Sequence, residues 1–162
     1  MTRLAKYGGT DGSTLEVQVT ENITINERDY GGYNTYSIPN IVNITKRIQT
    51  ITTTESVIAS FGLATAAGVY VAAKVKYMRF TNLDDTNFVV LVFQNAHNDE
   101  FAVKLDAGKS FVFNADNSGG MVAVMDAKDL AGLTVSLHSL KSITADADSA
   151  SVDIELYVAS TA

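Results

Sequence analysis

The chain has 162 residues, no cysteine and a net charge of −6, from 12 basic and 18 acidic side chains. A chain of this length buries about two thirds of its unfolded surface as one domain, so its stability requires neither disulfides nor a metal. The absence of cysteine excludes thiolate metal sites and a cysteine nucleophile. No basic patch is present, which argues against direct nucleic-acid binding, and no apolar run indicates a membrane span.

We divide the chain into an N-terminal arm and loop with one or two strands, residues 1–40, and a β-sandwich domain, residues 41–162. Residues 1–13 are glycine-rich and predict an extended arm whose anchors are Leu4 and Tyr7. Such a segment buries too little apolar area to offset the entropy of ordering it, so we expect it to dock on a neighbouring chain. Its deletion is expected to leave folding nearly unchanged and to weaken assembly.

Alternation of apolar and polar residues over 15–26 predicts a strand pair or one bulged strand. Residues 27–34 are predicted to form a turn or loop. Three tyrosines in this region, Tyr30, Tyr33 and Tyr36, combine a large apolar area with a polar tip, as interface residues often do. Two interpretations stay open: the tyrosines form an interaction surface, or their rings fold back and cap the end of the domain.

The rest of the chain consists of short β-rich runs separated by turn residues, a pattern typical of antiparallel strands. Residues 41–54 predict a strand whose inward side carries Val42, Ile44 and Ile48. Residues 142–150 are predicted to be a polar connection. The other predicted strands cover 56–61, a short run from 69, 77–80, 88–93, 101–105, 111–113, 121–125, 133–138 and 152–158.

Together these runs give about nine or ten strands, with at most a helical turn at 127–131, and predict an all-β chain. The expected fold is a single antiparallel β-sandwich, jelly-roll-like, with an N-terminal extended arm; an immunoglobulin-like sandwich is the alternative. The predicted core consists of Phe88 or Val89, Phe101, Val103, Phe111, Phe113, Val135, Leu137, Ile154 and Leu156.

Few side chains in the sequence suggest catalysis. His97 and His138 are predicted to be unconnected surface residues. Asp146 and Asp148 have the D-x-D spacing of an oxygen-ligand loop, but the glycine and the third acid of a calcium loop are missing, so we interpret them as turn residues. Neither a G-x-S-x-G elbow nor a glycine-rich phosphate loop occurs. We therefore predict a protein that is not an enzyme and binds no cofactor or metal.

Three motifs in the middle of the chain resemble a known class of proteins. They are RFTNLD at 79–84, TNF at 86–88 and FAVKLDAGKSF at 101–111. With the closing segment SITADADSASVDIELYVAS, they resemble small virion structural proteins of tailed bacteriophages, especially of marine phages, over residues 41–160. The N-terminal forty residues lie outside the resemblance.

The resemblance implies a virion protein that decorates the capsid or joins parts of the head, neck or tail through its arm and its sandwich. Its partners would be the major capsid protein or other virion proteins, and it would form a homo-oligomer, with a trimer favoured. A carbohydrate- or receptor-binding module of a phage fibre is the alternative, since the exposed tyrosines could hold a saccharide. No membrane association is implied.

Overall fold

A computed structural model describes residues 12–63, 68–115, 119–126 and 137–162. These ranges contain thirteen β-strands and no helix, and therefore no helix that could cross a membrane. The predictions for residues 1–11 and 127–131, and for most of 133–138, lie outside the described residues. The strands are β1 Ser13–Glu21, β2 Thr24–Ile25, β3 Arg28–Asp29, β4 Gly32–Ile41, β5 Asn43–Ile51, β6 Ser56–Phe61, β7 Val69–Tyr70, β8 Val75–Asn82, β9 Val89–Asn95, β10 Glu100–Leu105, β11 Ser110–Asn114, β12 Leu140–Ala147 and β13 Val152–Ser160.

Two large sheets form the body of the molecule. One has five strands in the order β10-β9-β12-β6-β7, and the other has four in the order β11-β8-β13-β5. Pairing is antiparallel throughout these sheets, except that β6 and β7 are parallel. Buried side chains from both sheets form one apolar cluster between them. The prediction of an antiparallel β-sandwich is confirmed, whereas the finer prediction of a jelly roll stays a prediction.

Phe93 lies at the centre of the core and is fully buried. Its ring meets Phe80 of the facing sheet edge to face, with the centroids 5.8 Å apart, and stacks on Phe101 at 4.8 Å. Phe111 and Phe113 pack around the same ring at 5.3 and 5.5 Å. Because one ring contacts aromatic side chains of both sheets, it connects the two layers of the sandwich.

The predicted core is largely found where the sequence placed it. Val89, Ile154 and Leu156 are buried. Four further predicted residues are only partly buried but pack against the core: Phe101, Val103, Phe111 and Phe113. Leu137 was wrongly predicted, because half of its side chain is exposed (50%). Val135 lies outside the described residues.

The predicted polar connection at 142–150 was wrong for most of its length. Residues 140–147 form β12, which lies between β9 and β6 in the five-stranded sheet. Ile143, Ala145 and Ala147 point into the core, and Leu140 is buried at the start of the strand. Asp146 is therefore a strand residue opposite Val90, and the D-x-D spacing does not form a loop.

The inward face of β5 was also predicted wrongly. Ile44 and Ile48 are 50% and 63% exposed, and Val42, just before the strand, is 38% exposed. The opposite side faces the core and ends in Ile51, which is fully buried. Long polar side chains cover the middle of this inner side: the Arg47 guanidinium donates a hydrogen bond to the Ile58 carbonyl. The β-branched residues of β5 therefore face outward.

Two smaller predictions fail as well. Residues 121–125 form no strand, and a single β-bridge joins Met125 to His138. Residues 27–34 were predicted as a turn or loop; Glu27 does lie in a hairpin turn, but β3 and the start of β4 in this range are extended. Pro39 lies in β4, which belongs to a two-stranded sheet and so has a free edge, where a residue without an amide hydrogen is tolerated.

Candidate interaction surface

Strands β1 and β4 form a two-stranded ribbon, residues 12–41, outside the two large sheets. The ribbon crosses the outer face of the four-stranded sheet at one end of its strands. On one side, the Val42 amide donates to the Ser160 carbonyl at 3.0 Å, next to edge strand β5. On the other side, the Tyr36 hydroxyl donates to Asn114 Oδ1 at 2.6 Å, on edge strand β11. The ribbon thus spans the whole width of the sheet.

A second apolar cluster holds the ribbon in place. Ile38 and Ile41 of β4 are buried against Tyr77 and Ala159 of the sheet below. Further side chains surround this cluster and are partly buried: Leu15, Val17, Tyr36 and Tyr157. The Tyr77 and Tyr157 rings meet edge to face at 5.9 Å. Burial raises the pKa of the Tyr77 hydroxyl, as the desolvated phenolate is disfavoured.

Local backbone geometry fixes where the ribbon begins. β4 carries one extra residue opposite β1, because Ser13 pairs with Ile41 while Leu15 pairs with Ile38. Asn40, within this bulge, has a left-handed φ of 62°. A Cβ on Gly12 would lie 2.4 Å from the Asn40 backbone, so only glycine allows the two strands to approach this closely.

Beyond its contact with the sheet, the ribbon continues past the described residues of the body as an overhang, residues 18–35. All eighteen residues are exposed. The chain reverses at Asn26 and Glu27, whose φ values of 50° and 63° are those of a two-residue hairpin turn. From Val17 to this turn the ribbon extends roughly 30 Å at about 3.3 Å per residue. Large apolar side chains are exposed along it: Val19, Ile23, Ile25, Tyr30 and Tyr33.

The three tyrosines proposed as interface residues do not share one environment. Tyr30 and Tyr33 lie on the overhang and are 61% and 75% exposed. Tyr36 instead packs against the sheet of its own chain and donates to Asn114. Leu4 and Tyr7 lie outside the described residues. Tyr36 thus packs within its own chain, whereas Tyr30 and Tyr33 are exposed, and the role of all five residues at an interface stays a prediction.

The outer face of β5 presents the other exposed apolar surface of interest, which we call the open stripe: Ile44 and Ile48. Lys46 lies between them on the same face, and its side chain is 61% exposed. Among the described residues, β5 pairs on one side only, with β13. An edge strand of nine residues with exposed isoleucines is a surface that proteins usually cover or protect.

One ion-pair network lies beside the open stripe. Glu155 of β13 accepts a hydrogen bond from Arg79 at 2.6 Å and lies 3.4 Å from the Lys46 ammonium. The hydrogen bond from Arg79 is the largest influence lowering the pKa of Glu155, and the nearby positive charges act in the same direction. The carboxylate form is therefore favoured in the folded protein.

This network predicts an acid-dependent loss of stability. A lowered folded-state pKa stabilises the fold above the ordinary glutamate pKa of about 4.3, and this stabilisation is lost as the pH falls through the folded-state value. Glu155→Gln should therefore lose less stability than the unmodified chain over this acid window, measured by urea unfolding at a series of pH values. The matched variant Glu21→Gln, on the overhang, should keep the full acid-dependent loss. Equal pH profiles for all three proteins would contradict the prediction.

The two histidines are not unconnected, contrary to the prediction. The rings of His97 and His138 stack with centroids 3.5 Å apart. Asn95, fully buried, positions the loop that carries His97: its Oδ1 accepts the amides of His97 and Asp99, both at 2.9 Å. Nitrogen lone pairs lie in the plane of the imidazole ring, so stacked rings do not direct them at one ion. This pair is therefore a packing contact between two loops.

Asp84 stabilises the turn that follows β8. Asp84 accepts the backbone amides of Asn87 and Thr86, and these hydrogen bonds, Asn87 first, lower its pKa. Within the ranges that the structure describes, no group of three His, Cys, Asp or Glu residues could hold a metal ion. Two buried asparagines, Asn95 and Asn82, were not predicted from the sequence. Asn82 is also fully buried. Its side-chain amide donates to the Asn87 and Leu105 carbonyls, and its Oδ1 accepts the Asp84 amide.

Comparison with known proteins gives little. No protein-family model matches the chain, and no curated protein matches it. A solved structure from work on Bacillus endospore appendages, which form a family of disulfide-linked pili, is similar over 99% of this chain and 98% of that chain. The identity is 11% and the TM-score is 0.44, too low to support an argument about function.

Proposed function

We propose that this protein is a non-enzymatic structural subunit that joins copies of itself, or other particle proteins, through the ribbon and the outer face of its sandwich. The observation that carries the proposal is the overhang: eighteen consecutive exposed residues that extend beyond the body. An isolated two-stranded hairpin is at best marginally stable in water. An overhang rich in exposed apolar side chains therefore suits a partner that covers it.

We further propose that the assembly is a virion, in which the protein decorates the capsid or joins parts of a tailed phage particle. The resemblance of residues 41–160 to small phage structural proteins supports this, and the major capsid protein or other virion proteins would be the partners. Within that proposal the sandwich is a jelly roll. The jelly-roll proposal is supported by the connections between consecutive strands from β5 to β13, most of which cross from one large sheet to the other. The connections β6–β7 and β9–β10 join strands of the same sheet.

Shortening the ribbon tests the proposed function. Val19 and Asn34 are directly paired, so an Asn-Gly turn can replace residues 20–33 without disturbing the contact with the body. The variant should melt close to the unmodified chain, since the deleted residues are exposed, and it should lose self-association in light scattering. The arm was predicted as residues 1–13, but Ser13 belongs to β1, so a variant that lacks only residues 1–11 tests the predicted arm in parallel. Undiminished association of the ribbon-shortened variant would contradict the role of the overhang.

A second candidate function is saccharide or receptor binding by a phage fibre. The exposure of Tyr30 and Tyr33 favours it, because exposed aromatic rings offer apolar platforms with polar tips. Glycan-array binding that is lost in Tyr30→Ala and Tyr33→Ala would support this function. Tyr36 is the control residue, since its hydroxyl is engaged within the chain.

A further inference from the structure

We propose that copies of this chain join side by side and head to tail, so that β11 of one copy lies next to β5 of the following copy. The overhang of the first copy would then cover the Ile48 end of the open stripe of the second. This inference rests on the proposed assembly function and specifies its partner, a second copy, and its geometry. Such an interface uses two different surfaces, and so forms a ring if the rotation between copies closes and a filament otherwise.

Strand direction supports this arrangement. The four-stranded sheet is antiparallel throughout, with β11 and β5 as its edges. Because the number of strands is even, the two edge strands run in opposite directions. A neighbour in the same orientation therefore presents its β5 antiparallel to β11, and the alternation continues across the interface. In the described residues each edge strand is paired on one side only, which leaves its other side open to such pairing.

The direction of the overhang fits the same arrangement. The ribbon leaves its own sheet above β11, where Tyr36 bonds Asn114, and Val17 pairs with Tyr36 in the ribbon. Val19 lies on the same ribbon face as Leu15 and Val17. It is two residues beyond Val17, which is about 7 Å at 3.3 Å per residue. Neighbouring strands in a sheet lie about 4.8 Å apart, so Val19 would lie above the neighbour's first strand, β5.

The neighbour's own ribbon decides which residue is covered. That ribbon starts over Ile44, in a cleft of about 310 Å³ lined by Ser13, Leu15 and Tyr157 among others. The overhang of the first copy avoids Ile44 when it lies beside the neighbour's ribbon, about two strand spacings or roughly 10 Å further along β5. At that distance it lies over Ile48. Each ribbon has two antiparallel strands, β1 and β4. When two ribbons lie side by side in the same orientation, their adjacent strands are therefore antiparallel as well.

Charge and size agree with a second copy as the occupant. The overhang carries Glu21, Glu27 and Asp29 against one basic residue, Arg28, whereas the outer face of β5 carries Lys46 and no acid. Opposite charges across an interface favour its formation and its register. The eighteen exposed residues of the overhang approach the roughly 20–30 residues that each side of a standard interface contributes.

The absence of cysteine gives a clean test by cross-linking. Val19→Cys and Ile48→Cys each place one thiol on an exposed position, and the two variants carry different affinity tags. A short bis-maleimide should link the mixed variants into a dimer that carries both tags, and should link neither variant alone. A chain with both substitutions should give a ladder of higher oligomers. Val57→Cys is the matched control for Ile48→Cys, since it is 57% exposed on the other sheet.

Four outcomes would overturn the inference. Cross-linking of Val19→Cys with itself would indicate a symmetric ribbon-to-ribbon contact. Equal linking of Val19→Cys to Val57→Cys would indicate random collision. A lack of any Val19–Ile48 product, with the unmodified chain nevertheless associating in solution, would reject this geometry while the assembly function stands. If the unmodified chain does not associate with itself at all, the proposed self-assembly fails as well.

Discussion

Phe93→Ala is expected to lower the free energy of unfolding by about 3–5 kcal/mol, as truncation of a fully buried phenylalanine does. The ring is fully buried and contacts four other phenylalanines, three of them in the facing sheet. Its removal leaves a cavity between the two layers, which the rigid sheets on either side cannot close. Urea unfolding followed by circular dichroism measures the loss.

Two matched variants show whether burial is the cause. Phe113→Ala should cost less, since Phe113 is only partly buried at the rim of the same cluster. Tyr33→Ala, on the overhang and 75% exposed, should stay within about 0.5 kcal/mol of the unmodified chain. Equal losses for all three variants would mean that the centre of the core has been assigned wrongly.

Asn95→Ala is expected to cost about 3 kcal/mol, because it leaves one buried and two partly buried backbone groups without their hydrogen-bond partner. The side chain accepts the amides of His97 and Asp99, and it donates to the Met125 carbonyl at 3.2 Å and the Asp99 carboxylate at 3.0 Å. It thereby connects the end of β9 to two loops. The measurement is again urea unfolding, with loss of the His97–His138 contact followed by histidine ring NMR signals.

Asn95→Asp is the matched control, since it keeps the shape and the accepting oxygen. It removes both donors and places a carboxylate beside Asp99, so the ionised form is disfavoured and the folded-state pKa of the new group should be raised. The stability of Asn95→Asp relative to the unmodified chain should therefore be highest at acid pH and should fall as the pH rises through that pKa. A stability difference between the two proteins that does not change with pH would contradict the assigned hydrogen bonds.

The strand pattern was largely predictable because most strands have one buried face, and their apolar residues alternate visibly. β12 was missed for two physical reasons. Its inward residues after Ile143 are alanines, which give a weak apolar signal but fit a crowded central position. An irregularity in its pairing with β9, between Leu140 and Ser142, also shifts the phase of the alternation.

β5 shows the opposite error, in which a strong apolar pattern pointed to the wrong side. Ile44 and Ile48 outweighed the side with Thr45, Arg47 and Gln49, yet the latter faces the core. Sequence alternation identifies two faces but does not say which one a neighbouring sheet covers. If a second copy covers the open stripe, the alternation in β5 describes a buried face of the assembly.

The candidate surface was only partly predictable. Tyr30 and Tyr33 could be chosen by composition, but the crossing of the sheet by the ribbon depends on contacts between residues far apart in sequence, such as Tyr36 with Asn114. The buried asparagines did leave a signal. Asn82 and Asn95 each follow a buried phenylalanine by two residues, so they lie on the inward face at the end of a strand. Each accepts an amide two residues on, as asparagine does in turns.

The central claim, that this chain is an assembling subunit, is tested most directly by the mass of the unmodified protein in solution. Sedimentation velocity over a wide concentration range measures it without labels or substitutions. We expect species heavier than the 17.3 kDa monomer that increase with concentration, as ribbons come to cover open stripes. A single 17.3 kDa species at every concentration would contradict self-assembly.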